Sequence, residues 1–166
     1  MTTTDIQPES AASSSVQATN ASFADYDIRP EIVAALADQG ITHPFAIQAM
    51  TLPVALAGHD IIGQAKTGTG KTLGFGVPLL HRVISPGEVG YEDLPAPGKP
   101  QALVVLPTRE LAIQVARDLT AASTKRSVRV LAVYGGRAYE PQVNALAAGV
   151  DVVVGTPGRM IRHVPA

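Results

Sequence analysis

The chain has 166 residues, the length of one ordinary domain, and its 46% hydrophobic content is enough to bury a core. It has no cysteine, which excludes disulfide frameworks, Cys-held zinc and thiol nucleophiles, and its four histidines (His43, His59, His81, His163) show no metal-ligand spacing. The net charge of −1 hides an asymmetry: residues 109–166 carry eight bases against four acids, which points to an anionic partner or, more simply, to a solvated basic face.

Residues 1–22 are rich in Thr, Ser, Ala and Gln and contain no aromatic residue, so a disordered tail is expected. Neither a secretory leader nor a bilayer-length apolar run is visible, and a cytoplasmic protein with no membrane partner is expected. A helix is expected over residues 30–39, with Pro30 in its first turn and Gly40 just past its end. A second is expected over residues 45–57, kinked at Pro53.

Apolar strands then alternate with helices. Residues 60–64 read as a strand leading into the glycine-rich stretch 65–72, and residues 71–84 as a helix. Residues 85–100 hold four prolines and three glycines and read as a surface loop. Residues 102–106 read as a buried strand and 109–122 as a helix. Strands are expected at 128–133 and 151–154, and helices over 138–148 and from 156 to 163. This alternation predicts an α/β fold with a parallel sheet covered by helices on both faces.

The strongest chemical signal is Ala65-Lys66-Thr67-Gly68-Thr69-Gly70-Lys71-Thr72, set between an expected strand and an expected helix. Glycines let backbone N–H groups turn toward phosphate oxygens, and a helix N-terminus adds partial positive charge. Lys71 can reach the β- and γ-phosphates, and the Thr72 hydroxyl can ligate Mg²⁺. Ala65 stands where the strict pattern has its first glycine; the plainer alternative is a glycine-rich turn with a chance Gly-Lys-Thr.

Several further stretches, in order, carry a family resemblance. Gly40-Ile41-Thr42-His43-Pro44-Phe45-Ala46-Ile47-Gln48, with Phe23 seventeen positions before Gly40, resembles the Q motif of DEAD-box RNA helicases. Residues 65–72 match that family's alanine-first phosphate loop. Pro107-Thr108-Arg109-Glu110-Leu111-Ala112 resembles its motif Ia, Gly135-Gly136 its glycine doublet, and Thr156-Pro157-Gly158-Arg159 its motif Ib. The resemblance covers residues 23 to about 162 and implies the RecA-like, P-loop NTPase fold of the first helicase lobe.

It implies ATP or ADP with Mg²⁺ at residues 65–72, with Gln48 on the adenine edge and Phe23 stacked on the adenine face. Left to themselves, Gln48 reads as a helix-surface glutamine and Phe23 as an aromatic plug anchoring the tail. Phe45 and Lys66 depart from the hydroxyl residue and glutamine usual at their positions. The resemblance also implies that Pro107, Thr108, Arg109, Gly136, Arg137, Thr156, Pro157, Gly158 and Arg159 grip the backbone of single-stranded or structured RNA, chiefly through phosphates. For Arg109 a salt bridge to a helix acid is the alternative.

The family's Asp-Glu-Ala-Asp motif, expected some two dozen residues after motif Ib, does not occur among the 166 residues, and neither does a second lobe. The chain therefore reads as an incomplete first lobe. It is either the ATP- and RNA-binding portion of an ATP-dependent RNA helicase, inactive alone and partnered by a second lobe, or a non-catalytic nucleotide- or RNA-binding fragment.

Overall fold

Three short apolar strands form one parallel sheet. The structure is a computed structural model, and it describes residues 20–66 and 68–163. The strands are β1 (Ala102–Val105), β2 (Val130–Val133) and β3 (Val152–Gly155), in spatial order β1-β3-β2. β3 is central, with Ala102 opposite Val152 on one side and Val130 opposite Val152 on the other. Among the described residues six helices accompany them: α1 (Pro30–Ala37), α2 (Ala46–Leu56), α3 (Lys71–Arg82), α4 (Arg109–Ala122), α5 (Glu140–Ala148) and α6 (Pro157–Ile161). The disordered tail expected over residues 1–22 lies outside the described residues up to residue 19. Ser22 is described, and caps a 3-10 turn over Phe23–Asp25.

Alternate strand positions face opposite sides of the sheet. On one side Val104, Val152 and Val154 join the main core, which takes in Ile32 and Leu36 of α1, Val77 and Leu80 of α3, and Val115 and Leu119 of α4. Gly76 lets α3 approach α4 closely, since a methyl group there would lie 2.6 Å from Leu119 Cδ2. On the other side Val133, Val150 and Val153 form a smaller cluster with Leu131, Leu146 of α5 and Met160. Helices thus cover both faces, and this is the expected α/β fold. Among the described residues no helix is long and apolar enough to cross a membrane.

Two expectations need correction. Residues 60–64 form no strand: they are exposed, Ile62 completely so, and among the described residues they make no backbone–backbone hydrogen bond. β-propensity without an adjacent strand cannot complete a ladder. The strand at residues 102–106 is not buried on both faces either. Leu103 is 61% and Val105 54% exposed, because the second cluster reaches β2 and β3 but stops short of β1. Pro53, where a kink is expected, lies inside α2, which runs through it to Leu56. The other elements lie within about two residues of their expected bounds.

The loop over residues 85–100 contains no strand or helix, yet it is pinned to the core. Arg126, with a side chain 1% exposed, donates to the carbonyls of Leu80 (2.5 Å) and Val83 (2.6 Å) and to both oxygens of Glu88 (2.7 and 2.6 Å). Asp151, fully buried at the start of β3, accepts from Arg129 N (2.8 Å), Nε (3.1 Å) and Nη2 (2.8 Å), and the same guanidinium donates to Tyr91 Oη at 2.9 Å. Burial by itself would raise the Glu88 carboxyl. The Arg126 guanidinium and the Ser85 donors outweigh it and hold the carboxyl down at about 2.

A carboxyl depressed in the fold contributes stability above its unfolded value and loses it as pH falls through the folded one. Chemical denaturation should therefore show stability falling between about pH 4.5 and pH 2. Glu88→Gln should flatten that slope. Glu88→Ala, which strands a buried guanidinium, should cost about 3–5 kcal/mol at neutral pH.

Candidate nucleotide and RNA-backbone sites

The phosphate loop is held from below by a glutamine. Gln48, in the first turn of α2, is 2% exposed. Its Oε1 accepts from Phe45 N at 2.9 Å, closing the helix start, and its Nε2 donates to the Gly70 carbonyl at 2.8 Å. Gly70 has φ +76° and begins α3. Any side chain there would be strained, and a methyl group would overlap the Gln48 amide and lie 2.6 Å from Phe45 Cδ2. Glycine is needed here both for its conformation and for the space.

Above this joint, Thr69 Oγ1 donates to the Lys66 carbonyl at 2.8 Å. Lys71 Nζ donates to the Lys66 carbonyl at 2.6 Å and to the Ala65 carbonyl. Among the described residues no carboxylate pairs with Lys71, so its charge is balanced only by carbonyl dipoles. Thr72 is half-buried beside it, and Thr67 lies outside the described residues. An exposed ammonium without a counter-ion, two left-handed glycines (Gly68, Gly70) and the start of a twelve-residue helix suit a polyphosphate. The donor set for a metal is sparse. No group of three or more His, Asp or Glu among the described residues is placed to hold one.

A cavity of about 610 Å³ opens beside the loop, lined by Ile41, Phe45, Gly70, Lys71, Thr72 and Asp118 among others. A second, of about 500 Å³, lies between α2, α3 and residues 59–63. Phe23 lines neither. Its ring is 1% exposed in the main core, and its N–H donates to the Thr42 carbonyl at 3.0 Å. Phe23, which the resemblance sets on the adenine face, is enclosed in the main core of this structure.

The other candidate residues gather where β1, β2 and β3 end. Thr108 Oγ1 accepts from Leu111 N at 3.3 Å and caps α4. Pro107 and Thr108 are exposed, as are Gly136, Arg137, Pro157 and Gly158; Thr156 and Arg159 are partly exposed. Arg109 pairs with Glu110 at 2.6 Å, both exposed, and a methyl group on Gly136 would lie 3.2 Å from Arg109 Nη1. Hydrogen bonding and charge from Arg109 hold the Glu110 carboxyl below its ordinary range. Arg159 Nη2 donates to the Arg137 carbonyl at 3.1 Å. The guanidinium of Arg137 lies 5.7 Å from the Tyr134 ring, and that of Arg159 lies 5.6 Å from the Tyr139 ring.

The structure thus brings motif Ia, the glycine doublet and motif Ib together around Arg109, Arg137 and Arg159. It adds residues that the sequence did not single out. Gln142 is buried and donates to the Tyr134 carbonyl at 3.2 Å, and Tyr139 stacks on His163 at 4.5 Å between ring centres. Tyr139 and Gln142 sit at or near the start of α5, and no spacing rule marks them.

A parallel sheet with a phosphate-type loop on one side and an arginine row at its strand ends defines a nucleotide-binding lobe of helicase type. The DEAD/DEAH box helicase family model matches residues 45–165, and the chain belongs to that family. It is 44% identical over 146 residues to the ATP-dependent RNA helicase RhlB of Xanthomonas oryzae pv. oryzae, covering 88% of this chain and 25% of that protein. It is 45% identical over 148 residues to the ATP-dependent RNA helicase DeaD of Mycobacterium tuberculosis, covering 89% and 24%. Among solved structures, a DEAD box protein from the hyperthermophile Methanococcus jannaschii superposes with a TM-score of 0.74 at 34% identity, over 86% of this chain and 36% of that one. The chain spans about a quarter of the length of these two curated relatives.

Gln48→Ala should leave the Phe45 N–H and the Gly70 carbonyl without their partners and cost about 1–3 kcal/mol. Amide hydrogen exchange checks it: the Phe45 amide should exchange faster in the variant, with the α1 amides unchanged.

Proposed function

We propose that this chain is the nucleotide- and RNA-binding portion of an ATP-dependent RNA helicase. In this reading residues 65–72 take the phosphates of ATP or ADP, and Lys71 supplies the counter-charge. When bound, Mg²⁺ would neutralise phosphate charge beside Thr72. The observation that carries the reading is Lys71, an exposed ammonium held only by carbonyls in a loop opened by left-handed glycines. Polyphosphate oxygens would replace the Ala65 and Lys66 carbonyls as its partners.

Gln48 keeps one N–H and one acceptor lone pair beyond its two internal bonds, so its amide retains the chemistry to meet an adenine edge. It is buried, however, and reading a base requires that corner of the fold to open. The row Pro107, Thr108, Arg109, Gly136, Arg137, Thr156, Pro157, Gly158 and Arg159 would hold the sugar-phosphate backbone of RNA, largely without reading bases. The contacts of Arg159 with the Arg137 carbonyl and of Arg109 with Gly136 support this, since charge neutralisation dominates such binding.

RNA remodelling belongs to a whole helicase, in which a second lobe and an Asp-Glu-Ala-Asp motif complete the phosphoryl-transfer machinery. The 166 residues by themselves should show no ATPase activity above background. The partial lobe would comprise residues 23–166, with residues 1–22 as a tail.

Calorimetry tests the nucleotide half. ADP should bind in the presence of Mg²⁺, more tightly than GDP, and Lys71→Ala should weaken it at least tenfold. Equal binding by the wild-type chain and Lys71→Ala would contradict the reading. For the RNA half, a single-stranded oligouridine should bind with strong salt dependence, and Arg159→Ala should reduce the log–log salt slope by about 1.

A further inference from the structure

The guanidinium of Arg159 is held in place by less hydrogen bonding than its position requires. Among the described residues its Nη2 donates to the Arg137 carbonyl at 3.1 Å, while its Nη1 is buried with no partner. A buried donor left unmet costs free energy, so the single bond to Arg137 does not account for where the group sits. The Tyr139 ring does: its centre lies 5.6 Å from the guanidinium carbon, within the range of cation–π attraction.

The ring is itself fixed. Tyr139 stands at the N-cap of α5, and its Oη donates to the Arg162 carbonyl just past α6. The ring stacks on that of His163, with 4.5 Å between centres and 14° between planes. His163 Nε2 lies 3.4 Å from Gln142 Oε1, and the buried Gln142 donates to the Tyr134 carbonyl just past β2. These contacts tie the ring to β2, α5 and α6 together. We propose that Tyr139 is a positioning residue of the RNA-backbone site, its ring holding the Arg159 guanidinium at the strand ends for a phosphate. This rests on the reading of the strand-end row as an RNA-backbone site. An arginine already at rest on a fixed ring loses less side-chain freedom when a phosphate arrives. Tyr134 lies 5.7 Å from the Arg137 guanidinium in the same manner, but it is buried. Tyr139 is 40% exposed, so its side chain can be changed without opening the core.

Two measurements on the 166-residue chain test this. The first needs no RNA: the ring current of Tyr139 should displace the Arg159 Nε–H proton resonance. That displacement should vanish in Tyr139→Leu and persist in Tyr139→Phe, which keeps the ring and loses the hydroxyl. The second is titration with a single-stranded oligouridine. Tyr139→Leu should weaken binding about three- to tenfold, and Tyr139→Phe should restore it to within about twofold. The log–log salt slope of Tyr139→Leu should fall toward that of Arg159→Ala. Adding Tyr139→Leu to Arg159→Ala should weaken binding by no more than about twofold further, since both changes remove the same contact. Circular dichroism melts establish that each variant is folded.

An Arg159 resonance unmoved in a folded Tyr139→Leu would overturn the proposal. So would losses from Tyr139→Leu and Arg159→Ala that simply add, or a Tyr139→Phe as weak as Tyr139→Leu. Failure of the underlying reading is distinguishable: in that case oligouridine would bind the wild-type chain and Arg159→Ala equally, whatever the Arg159 resonance does.

Discussion

The hydrogen bond from Gln48 Nε2 to the Gly70 carbonyl is the constraint on which the phosphate loop depends. In an open α/β sheet a ligand loop is normally aimed by the strand that leads into it. Here residues 60–64 join no ladder among the described residues, so the loop is positioned from its far end. One amide closes the start of α2 through Phe45 and grips the start of α3 through Gly70. Because α2 and α3 pack side by side, that small joint fixes the start of α3, where Lys71 stands. The same joint puts the Phe45 ring and the Lys71 ammonium at one cavity.

The arginine row obeys a different constraint. β3 is central and its residues are buried throughout, so the two loops that follow β1 and β2 are carried to the same end as the Thr156 corner. Thr108, the Gly135-Gly136 doublet and Thr156 lie just beyond the three parallel strands. Gly155 allows the closest approach: a side chain there would run into the Val133 carbonyl, which instead accepts from Thr156 N at 3.0 Å. The back of the molecule is fastened separately. Arg126 and Glu88 tie the long loop to α3, and Arg129 and Asp151 tie the beginnings of β2 and β3. Those pairs take up the charge of Arg126 and Arg129, while at the strand ends Arg109 and Arg137 are exposed and Arg159 partly so.

Much of this was legible in the sequence. The run of strands and helices followed from apolar periodicity and from glycine and proline punctuation, and α4 was bounded by Thr108 and Ala122 as expected. The motif segments fell together in space because each follows a strand, and parallel strands all end on the same side of the sheet. What was not legible depends on partners that no local pattern reports. Residues 60–64 have the composition of a strand but no neighbour. The face of β1 bearing Leu103 and Val105 looks like the other strands and lacks only a cover. Phe23 and Phe45 are both aromatic residues in the same motif region, and only packing shows that the first is enclosed and the second faces the cavity. Arg126 reads as one more surface base until Glu88, thirty-eight residues earlier, is seen against it.

The central claim is that one small lobe carries two separate anion sites, one at the Gln48–Gly70 joint and one at the strand ends. Backbone amide chemical shifts, followed during titration with Mg²⁺–ADP and then with a single-stranded oligouridine, test it most directly. The account predicts that ADP moves residues 41–48 and 65–73, whereas the oligonucleotide moves residues 107–111, 135–139 and 156–163. ADP shifts confined to the strand-end residues, with the phosphate loop unmoved, would contradict it.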